Sequence, residues 1–516
     1  MKLFKAMATV AGMTFLSRIL GFVRDMLTAI VMGAGPLADA FFVALKLPNL
    51  FRRISAEGAF TVSFVPLFSE AIEKEGQDKA VAMARNMMGW MFVILSVFTV
   101  IALATMPFII MGIAPGFEVG GERYESAVDL ARVTFPYLLL ISLSSLIGGV
   151  LNTLERFAAY AFVPVLFNVA LIGALLLNDM VWDTPAHALA WGILAAGFLQ
   201  FGWMFLCARR YGLTLLPSVP KLDLKVKRLG ILMVPGLIGA GVYHLNLFAD
   251  MIIASFLESG SISYLYYADR LQQLPLGVVG IAVGTALLPL LSRAISADKH
   301  DEAKNLFNRA LEAVLILSLP ATTALMVASE PIIRSLFHYG AFTDYDATTT
   351  AFVLTCYAVG LPAYIAGRVF QVACFARQDT KTPVKVAIIC AFLNIAAALT
   401  LSQYIGVAGI ALGTGIVGWV QIALLYSVMR RQGRLDFDAR LVRNFGKIIT
   451  SCVIMAAGLY GFMVYAGDVF ETAGTDRILY LVALVGLGAI LYGLSVMALK
   501  VMNISDFKKI MTKKDA

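Results

Sequence analysis

Apolar windows of about twenty residues, the length a helix needs to cross a bilayer, recur along this whole chain. No other feature limits the fold as strongly. A backbone inside hydrocarbon must satisfy its own hydrogen bonds, and only helices and closed barrels do so. The windows predict about fourteen spans, near 8–33, 37–69, 82–112, 128–152, 158–178, 186–208, 231–257, 263–294, 306–330, 347–374, 384–402, 406–429, 444–466 and 477–500. Composition agrees. Of 516 residues, 60% are hydrophobic and 14% charged, against about a quarter charged in soluble domains. The predicted class is an all-α polytopic membrane protein.

The first residues, "MKLFKAMATVAGMTF", have the basic start of a signal peptide. The apolar pattern runs on into a longer stretch, so an uncleaved first span is expected. The five cysteines (207, 356, 374, 390 and 452) are scattered without a C-x-x-C pair. They predict neither a disulfide framework nor a zinc site. The four histidines are isolated. No Walker A or other nucleotide motif is present, and nothing points to nucleic acid or to a cofactor.

Loop charge alternates along the chain. One set of loops, including "ARRYGLTLLPSVPKLDLKVKR", "ARQDTKTPVK", "MRRQGRLDFDARLVR" and the C-terminal "KKIMTKKDA", holds most of the 41 Lys and Arg. The other set is read as carrying only Arg123 and Arg477. The positive-inside rule then places both termini in the cytoplasm. Short outer loops argue against an enzyme with a catalytic domain outside.

The segment "FVPLFSEAIEKEGQDKA" (64–80) returns as "LLPLLSRAISADKHDEA" (287–303). Pro66 matches Pro289, Ser69 matches Ser292, Ala71 matches Ala294 and Ala80 matches Ala303. The repeat predicts two six-helix halves in the same orientation, 1–216 and 217–434. Residues 435–516 add two spans without a counterpart and a cytoplasmic tail. Parallel repeats of this kind mark transporters with a site between the halves.

Charges sit inside these spans. Arg18, Arg24 and Asp25 interrupt "FLSRILGFVRDMLTA"; Asp39, Lys46 and Arg53 follow at intervals of seven; Arg52, Glu57, Asp269, Arg270 and Arg368 complete the group. Each charge at mid-bilayer costs about 2.5–3.5 kcal/mol, so they should face counter-ions or a wet cavity rather than lipid. Neighbouring residues on a helix do not face each other, so Arg24 and Asp25 are not expected to pair, and Arg24 points away from the Arg18–Asp25 stripe unless Gly21 permits a local break. The acids do not cancel the bases, and a net cationic cavity calls for an anionic occupant. Arginine's planar fork suits phosphate oxygens.

At these residues the chain resembles the MurJ (MviN) family of lipid II flippases, in the MOP exporter superfamily. The resemblance is carried by "MTFLSRILGFVRD", "ADAFFVALKLPNLFRRISAEGAF", "VPLF", "APGF", "TFPYLLLISLSSLIGGVLNT", "YYADRL", "LPLGVVGIAVGTALLP" and "RQDTKTPVK". It implies two six-helix lobes around a cationic cavity. It also implies transfer of the undecaprenyl-diphosphate-linked disaccharide-pentapeptide across the inner membrane for peptidoglycan synthesis. The cavity residues it implies are Arg18, Arg24, Asp25, Asp39, Arg52 and Arg270, supported by Lys46, Arg53, Glu57, Asp269 and Arg368. The last two spans, "ILYLVALVGLGAILYGL" among them, would form a groove for the polyprenyl tail. Membrane lipids and cell-wall synthesis proteins are the partners it implies. The energy source, membrane potential or a coupled ion, stays open. Two alternatives also stay open: a flippase for another polyprenyl-diphosphate oligosaccharide, and a multidrug exporter of the same superfamily.

Overall fold

The computed structural model describes residues 2–53, 60–471, 474 and 476–501, with side chains of 2–7, 235–247, 278–286 and 468 left aside. Glu57 and the C-terminal tail from 502 onward lie outside the described residues. Everything described is helix or connecting turn. Among the described residues, ten helices are long and apolar enough to cross a membrane, from Gln77–Ala104 to Asp476–Ala498. The four other expected spans are helical too: Lys2–Met32, Pro36–Phe51 continued by Thr61–Glu75, Leu224–Ser255 and Ser261–Ser296. These four hold most of the charges that interrupt the apolar pattern.

The chain forms two compact units, residues 1–263 with 340–342, and residues 264–339 with 343–516. In the first, the axis is the segment Glu122–Thr153, whose apolar window is 78% buried. Helices Pro36–Phe51, Gln77–Ala104 and Pro185–Arg210 pack around it, and Val163–Leu176 packs between Pro185–Arg210 and Lys2–Met32. In the second unit, Asp344–Phe375 has the same role and the same 78% burial. It is flanked by His300–Val327 and Val407–Arg431. The final hairpin, Ala439–Ala466 and Asp476–Ala498, packs on His300–Val327.

Helix Leu224–Ser255 is tied into the first unit. Lys225 pairs with Glu75 at 2.6 Å and Arg228 with Glu70 at 3.0 Å. Lys74 and then Arg228 hold the Glu70 carboxyl below its usual range. The strap leading to this helix is pinned as well. Asn86 donates to the Lys221 carbonyl and accepts from the Lys221 amide, at 2.8 and 2.7 Å. Gly89 is required beneath this strap, because a Cβ there would meet the Ser218 carbonyl.

Turn geometry extends the repeat beyond the matching sequence. Gly76 (φ 86°) and Asp298 (φ 53°) break the helices within the two repeated segments. Glu155 (φ 61°) and Gln378 (φ 58°) are likewise left-handed, as are Gly212 (φ 75°) and Gly433 (φ 66°). Members of the three pairs stand 222, 223 and 221 residues apart, the spacing of the two segments. Left-handed backbone is uncommon for a residue with a side chain. Its return at offsets of 221–223, in two of the three pairs between residues of different type, marks equivalent turns. Burial repeats too: Ala71 and Ala294 are both 4% exposed, and Ala80 and Ala303 are 0% and 1% exposed.

Candidate functional site

Helix Lys2–Met32 runs unbroken through Gly21, so no local break turns Arg24. Arg24 nevertheless reaches Asp25. Its Nη2 and Nε donate to Asp25 Oδ1 at 2.6 and 3.1 Å. The expectation that neighbours on a helix would not pair is therefore corrected. An arginine side chain is long enough to fold back along its own helix, where a compact group is not. Arg24 Nη1 donates to Asn168 Oδ1 at 2.9 Å, and the guanidinium lies 5.6 Å from the Phe167 ring centroid. Asn168 in turn donates to the Ser17 and Pro164 carbonyls at 3.0 and 3.1 Å. Arg24 and Asp25 are only 6% and 3% exposed. The pair clamps the first helix to Val163–Leu176 in a water-poor setting, where charge-assisted bonds are strong. Arg18, on the same helix, is exposed.

Asp39 is fully buried. Its carboxylate accepts from the Gly260 amide at 2.7 Å, the Ser263 amide at 2.9 Å and Ser263 Oγ at 2.7 Å. Arg123 stands 3.9 Å away and donates to the Leu257 carbonyl. Asp39 thus caps the amides that open helix Ser261–Ser296, which have no partner within the helix. The same region carries two close backbone approaches. The Ala341 amide donates to the Ile30 carbonyl at 2.8 Å, and Gly33 and Gly340 have positive φ with no space for a Cβ.

The stripe Asp39, Lys46, Arg53 runs outward, from fully buried through half-buried to exposed. Arg52 donates to Asn49 Oδ1 at 3.3 Å. In the second unit, Arg270 donates to Tyr266 Oη at 2.8 Å and lies 4.9 Å from that ring centroid. Asp269 accepts from Gln273. Arg368 is exposed on a helix whose neighbouring positions are buried. The structure therefore joins Arg24 to Asp25, and seats Asp39, Arg52, Asp269 and Arg270 on partners that the sequence reading did not name.

One centre was missed altogether. Arg334 belongs with Arg123 and Arg477 among the sparse charges of the less basic loops. It bonds Glu330 at 2.8 Å and also Asp344. Beside it, Arg477 is 1% exposed. Arg477 donates to the carbonyls of Glu471 at 2.7 Å, His338 at 3.2 Å and Arg334 at 3.4 Å. This guanidinium pins the final hairpin to the short helix Ser329–Phe337. Arg477→Ala should lower stability by about 3 kcal/mol, since it orphans buried carbonyls. Denaturant titration in detergent measures this, and a loss below that of an exposed Lys→Ala change would contradict the pin.

Burial, then the charges of Arg477 and Arg334, hold the His338 imidazole below its usual 6.5. The folded chain therefore keeps His338 neutral where the unfolded chain would protonate it. Stability at this corner is full above pH 6.5 and falls as pH drops below it. Hydrogen exchange around residue 477 should quicken on acidification in the wild type and lose that response in His338→Gln.

Among the described residues, no cluster of three or more His, Cys, Asp or Glu could hold a metal. Guanidinium groups set in apolar helices suit an anion instead. The profile of the family "Lipid II flippase MurJ" matches residues 28–473. The chain belongs to the MurJ family. A relative from Rhizobium meliloti (strain 1021), "Probable lipid II flippase MurJ", is 41% identical over 467 residues, covering 89% of this chain and 86% of its own. A solved MurJ structure, "Lipid II flippase MurJ, inward closed conformation", superposes with a TM-score of 0.78 at 25% identity, covering 98% of this chain and 99% of its own. The fold alone is shared with an inward-facing MATE multidrug transporter of the MOP superfamily. That match has a TM-score of 0.69 at 14% identity and covers 83% of this chain and 98% of the other. This chain and the MATE transporter thus share an architecture.

Proposed function

We propose that this MurJ chain moves lipid II by alternating access, with its diphosphate held by Arg18, Arg24, Arg52 and Arg270 and assisted by Lys46, Arg53 and Arg368. The chain is a lipid II flippase, a multi-pass transporter rather than an enzyme. The observation that carries the mechanism is the set of guanidinium groups inside apolar helices, whose planar forks suit the oxygens of a phosphate-bearing headgroup. Asp25 and Asp39 then orient cations and helix ends rather than touch the substrate.

Lobe rocking would expose the headgroup on each side in turn, along the repeat-based division 1–216 and 217–434. The apolar hairpin from 435 onward would hold the polyprenyl tail. In this reading the protein sits in the inner membrane with both termini in the cytoplasm, close to the cell-wall synthesis proteins that use its cargo. Membrane potential or a coupled ion would drive the step, the potential acting to the extent that the cavity charges stay in place. About 2.3 kcal/mol per charge per 100 mV gives a dianion moving outward roughly twice that.

Binding of lipid II to the purified chain tests the site. Arg52→Gln and Arg270→Gln should each weaken binding about tenfold and flatten its salt dependence, since each removes one phosphate contact. Unchanged affinity and salt response in both would remove these residues from the site.

A further inference from the structure

The motif "SLSSLIGGVLN" is not explained by the arginines, yet it builds a second feature in the first unit. Ser145, Gly149 and Asn152 lie at i, i+4 and i+7 on helix Tyr137–Thr153, hence on one face. With Thr61 and Tyr160 they line a cavity of about 230 Å³. Ser145 Oγ meets Tyr160 Oη at 3.3 Å. Gly148 seats the Tyr160 ring, which a Cβ at that position would strike, and a Cβ at Gly149 would press on Phe64 at 3.3 Å. Asn152 Oδ1 is buried and finds no donor among the described residues.

Among the described residues, no charged side chain lines this cavity, and no cation there would hold a diphosphate. Its volume is that of about seven waters, room for one ring or one amide group and below the usual range for a larger ligand. Asn152 Oδ1 accepts only, and Ser145 Oγ, which donates to the Ile141 carbonyl at 3.0 Å, is left to accept, as the Tyr160 and Thr61 oxygens can. The rest of the lining, from Tyr160 and Gly149 among others, is mainly apolar. Hydroxyl and N–H groups around an apolar ring face are the chemistry of a sugar. The cavity end of the helix leads into "NTLERF", one of the basic loops through which a headgroup would enter.

We propose that this cavity is a sugar subsite: it takes a hydroxyl- or acetamido-bearing ring of the lipid-linked substrate while the arginines take the diphosphate. This rests on the lipid-carrying reading above. Asn152 is the specificity-determining residue, because its unmatched acceptor selects a ring with a donor.

The test compares lipid II with undecaprenyl diphosphate, which has the same tail and phosphates without the sugars, on the purified full chain. Asn152→Leu and Ser145→Ala are measured beside the wild type, with thermal unfolding recorded for each. The expected result is binding of lipid II weakened about tenfold by Asn152→Leu, as for one lost buried hydrogen bond, with undecaprenyl diphosphate binding unchanged. Equal loss for both lipids makes Asn152 a structural residue and overturns the subsite. No loss for either overturns it too, as does a wild type that binds both lipids equally. A wild type that binds neither lipid overturns the carrier reading itself.

Discussion

Arg24→Ala should abolish lipid II transport and lower stability by about 3–5 kcal/mol, the cost of breaking a buried ion pair and leaving its partner charged. The two losses have different origins, and a second variant separates them. Arg24→Ala with Asp25→Ala removes both charges, so most of the stability should return. Transport should stay absent, because the phosphate contact is still missing. Arg24→Lys keeps the charge but not the fork that reaches Asp25 and Asn168 together, and should fall between. Denaturation in detergent and lipid II translocation report the two effects independently. Recovery of transport in the double variant would reduce Arg24 to a clamp between two helices.

Asp39→Ala should cost about 2–4 kcal/mol, more than a surface cap, because a fully buried carboxylate accepting three bonds is lost. The amides of Gly260 and Ser263 then open without a partner. Their hydrogen exchange should quicken well before that of the helix interior. Asp39→Asn keeps one acceptor oxygen and should lose roughly half as much. Slow exchange at both amides in Asp39→Ala would mean that another group caps this helix.

The fourteen helical positions were readable because hydropathy reports the thickness of the solvent a helix crosses. The parallel repeat was readable only where sequence survives, at 64–80 and 287–303. The left-handed turns at Glu155 and Gln378 extend it, but nothing in the letters E and Q announces positive φ. The charged residues were also readable, since charge in an apolar window is costly wherever it appears. Their partners were not. Helical spacing says which face a residue occupies, not which helix lies opposite. Asn168 is 144 residues from Arg24, and in sequence it is merely a polar residue in an apolar run. Arg334 and Arg477 were passed over for the opposite reason. In sequence they border short outer loops, where a charge usually faces water; the structure sets them on helices Ser329–Phe337 and Asp476–Ala498, and only the packing of the final hairpin buries Arg477.

The most direct measurement is labelling of outer-leaflet lipid II in a cell whose own flippase has been shut off. The cell is supplied with the wild-type chain or with Arg18→Gln, Arg52→Gln and Arg270→Gln combined. These three residues are exposed or half-buried, so their loss leaves the helical frame in place. Restoration by the wild type, with none from the triple variant present at equal level in the membrane, is the result expected of a cationic lipid II carrier. Full restoration by the triple variant would contradict it.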